Sequence, residues 1–169
     1  MMRYLTYVLA MSILIGYIAD AQKATQITAK ITATANVIGN VDLIVMRDLE
    51  FQVSSSLSPT ELIVDPQSDG QSGQIKIVGS PKSLVRVTSE KQSILQHESG
   101  QSQLFFTYNI SGSTVNVQGK SILLTQNNEV KLSDGGVYYL WVGGQLSGLE
   151  NIMPGNYTME LKIDVEYIL

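Results

Sequence analysis

Residues 156–169, NYTMELKIDVEYIL, decide the fold: apolar side chains alternate with polar ones almost without a break. Tyr157, Met159, Leu161, Ile163, Val165, Tyr167 and Leu169 hold the odd positions, and Thr158, Glu160, Lys162, Asp164 and Glu166 the even ones. Successive side chains of a strand point to opposite faces, so this period of two is a strand with one face in a core and one in water. Fourteen extended residues span roughly 45 Å. A slip of one residue would expose Leu161, Ile163 and Val165 and bury Glu160, Lys162 and Asp164, so the register is strongly fixed.

A second stretch has the same regularity. In ITAKITATANV, Ile27, Ala29, Ile31, Ala33, Ala35 and Val37 share one face, and Thr28, Lys30, Thr32, Thr34 and Asn36 share the other. The parity runs on through Val41, Leu43 and Val45 to Leu49, Phe51 and Val53, with interruptions expected at Gly39-Asn40 and Arg47-Asp48. Downstream, ELIVD reads as a short strand between Pro59 and Pro66, although a single helical turn fits its length as well. GQIKIV and SLVRVTS, joined through Gly79-Ser80-Pro81, read as hairpin partners. Glu90 to Gln103 is polar and reads as a loop around the short run SILQ. QLFFTYNI, TVNV, SILLT and GVYYLWVGG complete the series. About nine or ten short strands, with no internal repeat, predict an all-β chain, an antiparallel sandwich or barrel in one domain, residues 22–169.

The segment before it has a different character. Arg3 precedes an uncharged apolar run from Tyr4 to Ile18, and Ala19-Asp20-Ala21 supplies small residues at the cleavage positions, so residues 1–21 read as a secretory signal peptide. As a helix the run would reach only about 22 Å, short of a hydrocarbon core of about 30 Å, so no membrane span is expected in the mature chain. The expected location is secreted, periplasmic or on the cell surface. With no cysteine in the chain, disulfides, thiol catalysis and cysteine metal sites are excluded. A net charge of −4 without a basic cluster gives no footprint for nucleic acid.

The residues that could carry chemistry read more simply as structure. His97, the one histidine, stands beside Glu98 in a polar stretch and reads as a solvated loop side chain. Asp65, Asp69 and Gly70 make half of a calcium loop, but those residue types also build turns. Glu160, Asp164 and Glu166, with Lys162 among them, read as a solvated strand face rather than a pair of glycosidase carboxylates. Tyr139 and Trp141 share one face and Tyr138 the other, so some of these aromatics must pack in a core rather than form a sugar platform. Asn109 and Asn156 are sequons that matter only in a glycosylating host. No catalytic residue, cofactor or metal site is expected, and the chain does not read as an enzyme.

The run LWVGGQLSGLENIMPGNYTMELKIDVEYI places a glycine pair after an apolar strand, then a leucine-containing connection, a Pro-Gly turn followed by tyrosine, and an alternating last strand. With ITATANV and DLEF near the start, it resembles a family of secreted bacterial domains of uncharacterised function, similar in turn to spore-coat-protein-U-like and common-pilus-type fimbrial subunits. The carrying residues are Gly143, Gly144, Pro154, Gly155, Tyr157 and Tyr167. The resemblance implies an immunoglobulin-like antiparallel β-sandwich in the bacterial envelope or outside the cell, a protein that self-assembles or meets a periplasmic chaperone, with strand addition as the mode of contact. In pilins of that kind a glycine about fourteen residues from the end and a penultimate tyrosine mark the last strand. Gly155 matches, Tyr167 stands one position early, and the cysteine pair of many pilins is absent. The candidate subunit contact is therefore Ile27, Ala29, Ile31 and Ala33 with Leu161, Ile163, Val165 and Tyr167. Two functions follow: a structural or adhesive subunit that lends residues 22–37 to a neighbour, or a monomeric envelope or secreted module that keeps them and binds a glycan or protein.

Overall fold

Period two in the sequence becomes period two in burial. Along Gly73–Val78 the residues alternate between buried and half-buried, and along Leu161–Val165 between buried and exposed. The computed structural model describes residues 26–38, 41–54, 60–68, 70–125, 127–150 and 152–168; the expected signal peptide lies outside them. Twelve strands form within these residues: β1 (Gln26–Ile38), β2 (Asp42–Arg47), β3 (Leu49–Ser54), β4 (Glu61–Val64), β5 (Gly73–Val78), β6 (Leu84–Ser89), β7 (Gln92–His97), β8 (Gln103–Ser113), β9 (Ile122–Leu124), β10 (Asn127–Lys131), β11 (Val137–Ser147) and β12 (Gly155–Tyr167). The helical content among them is one 3-10 turn, Gln118–Lys120. No helix among the described residues is long and apolar enough to cross a membrane.

All twelve strands join one mixed sheet in the order β10-β6-β12-β7-β8-β11-β5-β2, with β1 beside β12, β3 beside β1, β4 beside β11 and β9 beside β8. Long strands carry shorter ones in tandem along one edge. β12 pairs with β7 at Tyr157 and Thr158 and with β6 from Ile163 to Tyr167, while β11 pairs with β5 and then β4. This stepping lets the sheet curl around one apolar interior centred on Leu95, Phe106, Leu140, Leu146, Tyr157 and Leu161. Phe51 meets the edge of Phe106 with ring centroids 5.6 Å apart, tying β3 to β8 across that interior.

Several expectations need correction. The sheet is mixed, because β1 runs parallel to β12, and the strands number twelve rather than nine or ten. β5 and β6 are not hairpin partners: β5 lies between β11 and β2, β6 between β12 and β10. The link between them bonds elsewhere, with Gly79 N–H donating to the Gly136 carbonyl (2.8 Å) and Lys82 N–H to that of Ser133 (3.0 Å). Gly136, at φ +72°, leaves only 2.1 Å between the place of a β-carbon and the Gly79 oxygen, so no side chain fits where the two turns meet. Part of the expected loop at Glu90–Gln103 is strand β7, which turns just Leu95 and His97 into the core. The strand reading of ELIV holds: it is β4.

Trp141 is buried, at 2% exposure, yet on the opposite face of β11 from Tyr138, Leu140 and Val142. It lies between Ser111 and Gln74 on the neighbouring strands. There Ser111 Oγ donates to the Pro66 carbonyl (2.9 Å), Ser121 Oγ lies 2.8 Å from Ser111 Oγ, and Gln118 Nε2 donates to Ser72 Oγ (2.9 Å). Two connecting segments are thereby fastened over the outer face as a second, smaller packed layer.

Candidate functional site

The candidate contact residues converge on β1 and its two neighbours. From Ile27 to Ile38, β1 pairs in parallel with Gly155 to Glu166 of β12; from Gln26 to Ile31 it also pairs antiparallel with β3. The strand is thus seated by backbone ladders on both edges over its first half. Ile27, Ala29 and Ile31 turn inward and are buried, while Lys30 and Thr32 are exposed. Ala29 stands directly between Tyr157 on one side and Phe51 on the other, both buried. Cβ atoms of directly opposed residues lie about 4.5–5.5 Å apart, so a small side chain at position 29 leaves both rings their space.

Leu161, Ile163 and Val165 are each 1% exposed on the core face of β12, opposite Ala33, Ala35 and Val37 in the backbone register. Tyr167 lies just past the last β1–β12 pair and is half-buried. Its hydroxyl accepts the Ser80 N–H at 2.7 Å and lies 3.3 Å from Ser80 Oγ. The near-terminal tyrosine therefore clamps the β5–β6 connection against the end of β12.

The other end of β12 is clamped by His97, which the structure places in the core at 7% exposure rather than in solvent. Its strand turns it inward, two residues after Leu95. Nδ1 accepts the Ser99 N–H (3.0 Å) and Nε2–H donates to the Pro154 carbonyl (3.1 Å), which fixes the tautomer. The imidazole meets the Tyr157 ring at 4.9 Å, edge to face, and Tyr157 Oη donates to the Met153 carbonyl (2.8 Å). Gly155 sits at φ +142°, and a β-carbon there would lie 2.3 Å from His97 Nε2. Glycine is needed at the exact point where β12 begins to pair with β1.

Charges line the outer face of the seat. Lys30 Nζ lies 3.1 Å from Asp48 and 3.7 Å from Glu50, and the hydrogen bond and charge of Asp48 hold the ammonium above its ordinary pKa. Arg86 bridges Glu166 (2.9 Å) and Glu129 (3.2 Å), with its pKa raised first by the Glu129 hydrogen bond. Glu160, Lys162 and Asp164 are exposed, so this is the solvated face that the alternation implied. A cleft of about 510 Å³ opens beside the β2–β3 bend, lined by Arg47, Asp48, Glu50 and Gln71. Asp65 closes a turn: it accepts Gln67 N–H (2.9 Å) and Ser68 Oγ–H (2.6 Å), which depress its pKa, the serine first. Asp69 lies outside the described residues, among which no three His, Asp or Glu side chains converge as metal ligands.

Sequence reasoning missed the second wall of the seat, Leu49 and Phe51 on β3. The signal was present, because the parity of β1 continues into those two residues. Chemically, this arrangement holds an extended segment by main-chain hydrogen bonds and alternate side chains, the means by which one strand is added to a sheet. The chain belongs to the family of the domain of unknown function DUF4402, which matches residues 15–167. No curated protein matches it.

Proposed function

Starting from that membership, we propose that the chain is a structural and adhesive protein of the bacterial envelope, exported by residues 1–21 and displayed outside the cytoplasm. In this reading the curled sheet is an immunoglobulin-like sandwich, with β3, β1, β12, β6 and β10 in one layer and β2, β5, β11, β8 and β9 in the other. β1 is the assembling element. A neighbouring copy supplies it by strand addition, as in the spore-coat-protein-U-like and fimbrial subunits that the sequence resembles, and a periplasmic chaperone holds the seat before assembly.

One observation carries the proposal. β1 is the first described strand, and its inward face carries Ile27, Ala29 and Ile31 between two ladder partners. A strand so placed leaves its seat without threading through the sheet, and β3, whose one described ladder partner is β1, and β12 are left as the two edges that receive a replacement strand. A second reading has its own support: β1 occupies the seat of its own chain, as a self-contained module that binds a glycan or protein would require.

The experiment compares the chain from Gln22 with a version starting at Ile38, by light scattering and unheated detergent gels. A ladder in the first that is lost in the second, with the shortened chain still folded or its fold rescued by a peptide of residues 22–37, supports strand addition. A folded monomer in the first and an unfolded chain in the second refutes it and leaves the self-contained module.

A further inference from the structure

The free edges of the sheet are not alike. The edge strands β3 and β10 carry charges of both signs on themselves or their nearest neighbours: Glu50 beside Lys30 and Asp48, and Glu129 beside Arg86 and Lys131. β4 carries Glu61 and is followed by Asp65 and Pro66, and β9 has only three residues. Charge, proline and shortness are the usual ways of keeping an edge from pairing with another chain. β2 differs. Among the described residues it pairs with β5 alone, and its six residues, DLIVMR, set four apolar side chains in a row. Ile44 is 48% exposed, Val45 39% and Met46 48%.

The charges of β2 stand at its two ends, and they are opposite. Asp42 and Ile44 face outward with Val78 and Lys76 of β5; a bulge then skips Met46 and sets Arg47 opposite Gln74, on that same outward face. The bulge thus places Asp42, Ile44 and Arg47 in one row. The Arg47 guanidinium is held in position by Ser72, with Nε donating to its carbonyl at 2.7 Å. Among the described residues neither Asp42 nor Arg47 has an ion-pair partner.

A two-fold axis perpendicular to the sheet sets one β2 antiparallel to another and keeps both outward faces on the same side. With that axis between the two copies of Ile44, Asp42 of each copy meets Arg47 of the other, and Leu43 meets Val45. A shift of the pairing loses both charge pairs and brings Asp42 or Arg47 against an apolar residue. We propose that this chain forms a two-fold dimer by antiparallel pairing of β2 with β2 of a second copy, with Ile44 on the axis and Asp42 facing Arg47 at both ends. The pairing is independent of β1 and joins copies whether or not that strand is exchanged.

The contact is at the small end of specific interfaces, so a dissociation constant of about 1–100 µM is expected. Sedimentation velocity of the chain from Gln22 should show a reversible monomer–dimer equilibrium. Asp42→Arg, which sets two arginines face to face, should weaken it about tenfold or more, and adding Arg47→Asp should restore it to within about threefold. Because the chain has no cysteine, Ile44→Cys gives an independent readout. It should form a disulfide dimer under mild oxidation at concentrations where Ile63→Cys, at a still more exposed position on β4, does not. Dissociation on dilution and in unheated detergent distinguishes this dimer from one made by exchange of β1. A monomer up to about 500 µM, a dimer unmoved by Asp42→Arg, or equal cross-linking at Ile44 and Ile63 would overturn the proposal.

Discussion

Gly155→Ala places a methyl group where the imidazole of His97 now lies. Two costs follow from the geometry. The backbone at φ +142° is strained for any residue with a β-carbon, by about 1–3 kcal/mol. The β-carbon would stand 2.3 Å from His97 Nε2, so the ring must swing away from the Pro154 carbonyl, and a buried hydrogen bond lost in this way costs about 1–3 kcal/mol. Together the variant should lose about 4 kcal/mol, a large share of the 5–15 kcal/mol typical of a domain. Urea unfolding followed by the fluorescence of Trp141, the one tryptophan, measures it. His97→Ala alone should lose about 2–4 kcal/mol, for the ring packed on Tyr157 and its hydrogen bonds. The double variant is decisive. Removing the ring removes the clash, so Gly155→Ala with His97→Ala should lose about 1–3 kcal/mol less than the sum of the singles. Strict additivity, or a Gly155→Ala chain within about 0.5 kcal/mol of the parent, would refute the close approach of ring and backbone.

Three further outcomes can be checked in the same way. Ile31→Ala, 2% exposed between Met159 and Leu49, should lose about 2–5 kcal/mol, while Thr32→Ala on the exposed face should stay within about 0.5 kcal/mol, both by urea titration. Tyr167→Phe keeps the ring and loses the hydroxyl contacts to Ser80, for about 1 kcal/mol, read as a lower urea midpoint at unchanged slope. Burial pushes the Tyr108 phenol up to about 12 from 10.0. The unfolded chain therefore gives up this proton first: the stability it contributes is complete below pH 10.0 and is lost as pH rises toward about 12. Urea midpoints across that window should fall less steeply in Tyr108→Phe, and an equal slope in both would refute the assignment.

The alternation of residues 27–37 and 157–167 gave away two strands, and their inward faces at Ile27, Ala29 and Ile31 and from Tyr157 to Val165, because parity reports a face directly. Parity says nothing of a strand's partner or direction. The parallel seat of β1 beside β12 was therefore not legible, nor was the parting of β5 from β6, whose link bonds to Gly136 and Ser133 in the distant β10–β11 connection. His97 was misread because β7 buries only one apolar side chain, Leu95, and leaves its other, Ile94, exposed in a stretch that is otherwise polar. Trp141 reads as a packed residue, but which packing it joins depends on Pro66, Ser111 and Ser121 meeting over it. The apolar faces of β1 and β12 were legible in the sequence; their pairing, and the wall that β3 adds, needed the fold.

The parallel pairing of β1 with β12 also sets an order of events. Chains are made from the amino end, so when β1 first emerges its long partner has not yet been synthesised, and β3, which follows soon after, is the neighbour within reach. Until β12 arrives, β1 presents a bare edge with Ile27, Ala29 and Ile31 along one side. Contacts so far apart along the chain slow folding, because a long loop must close before they form. The interval between the making of β1 and its closure by β12 is the time during which any other strand, from a chaperone or another copy, competes for the same edge.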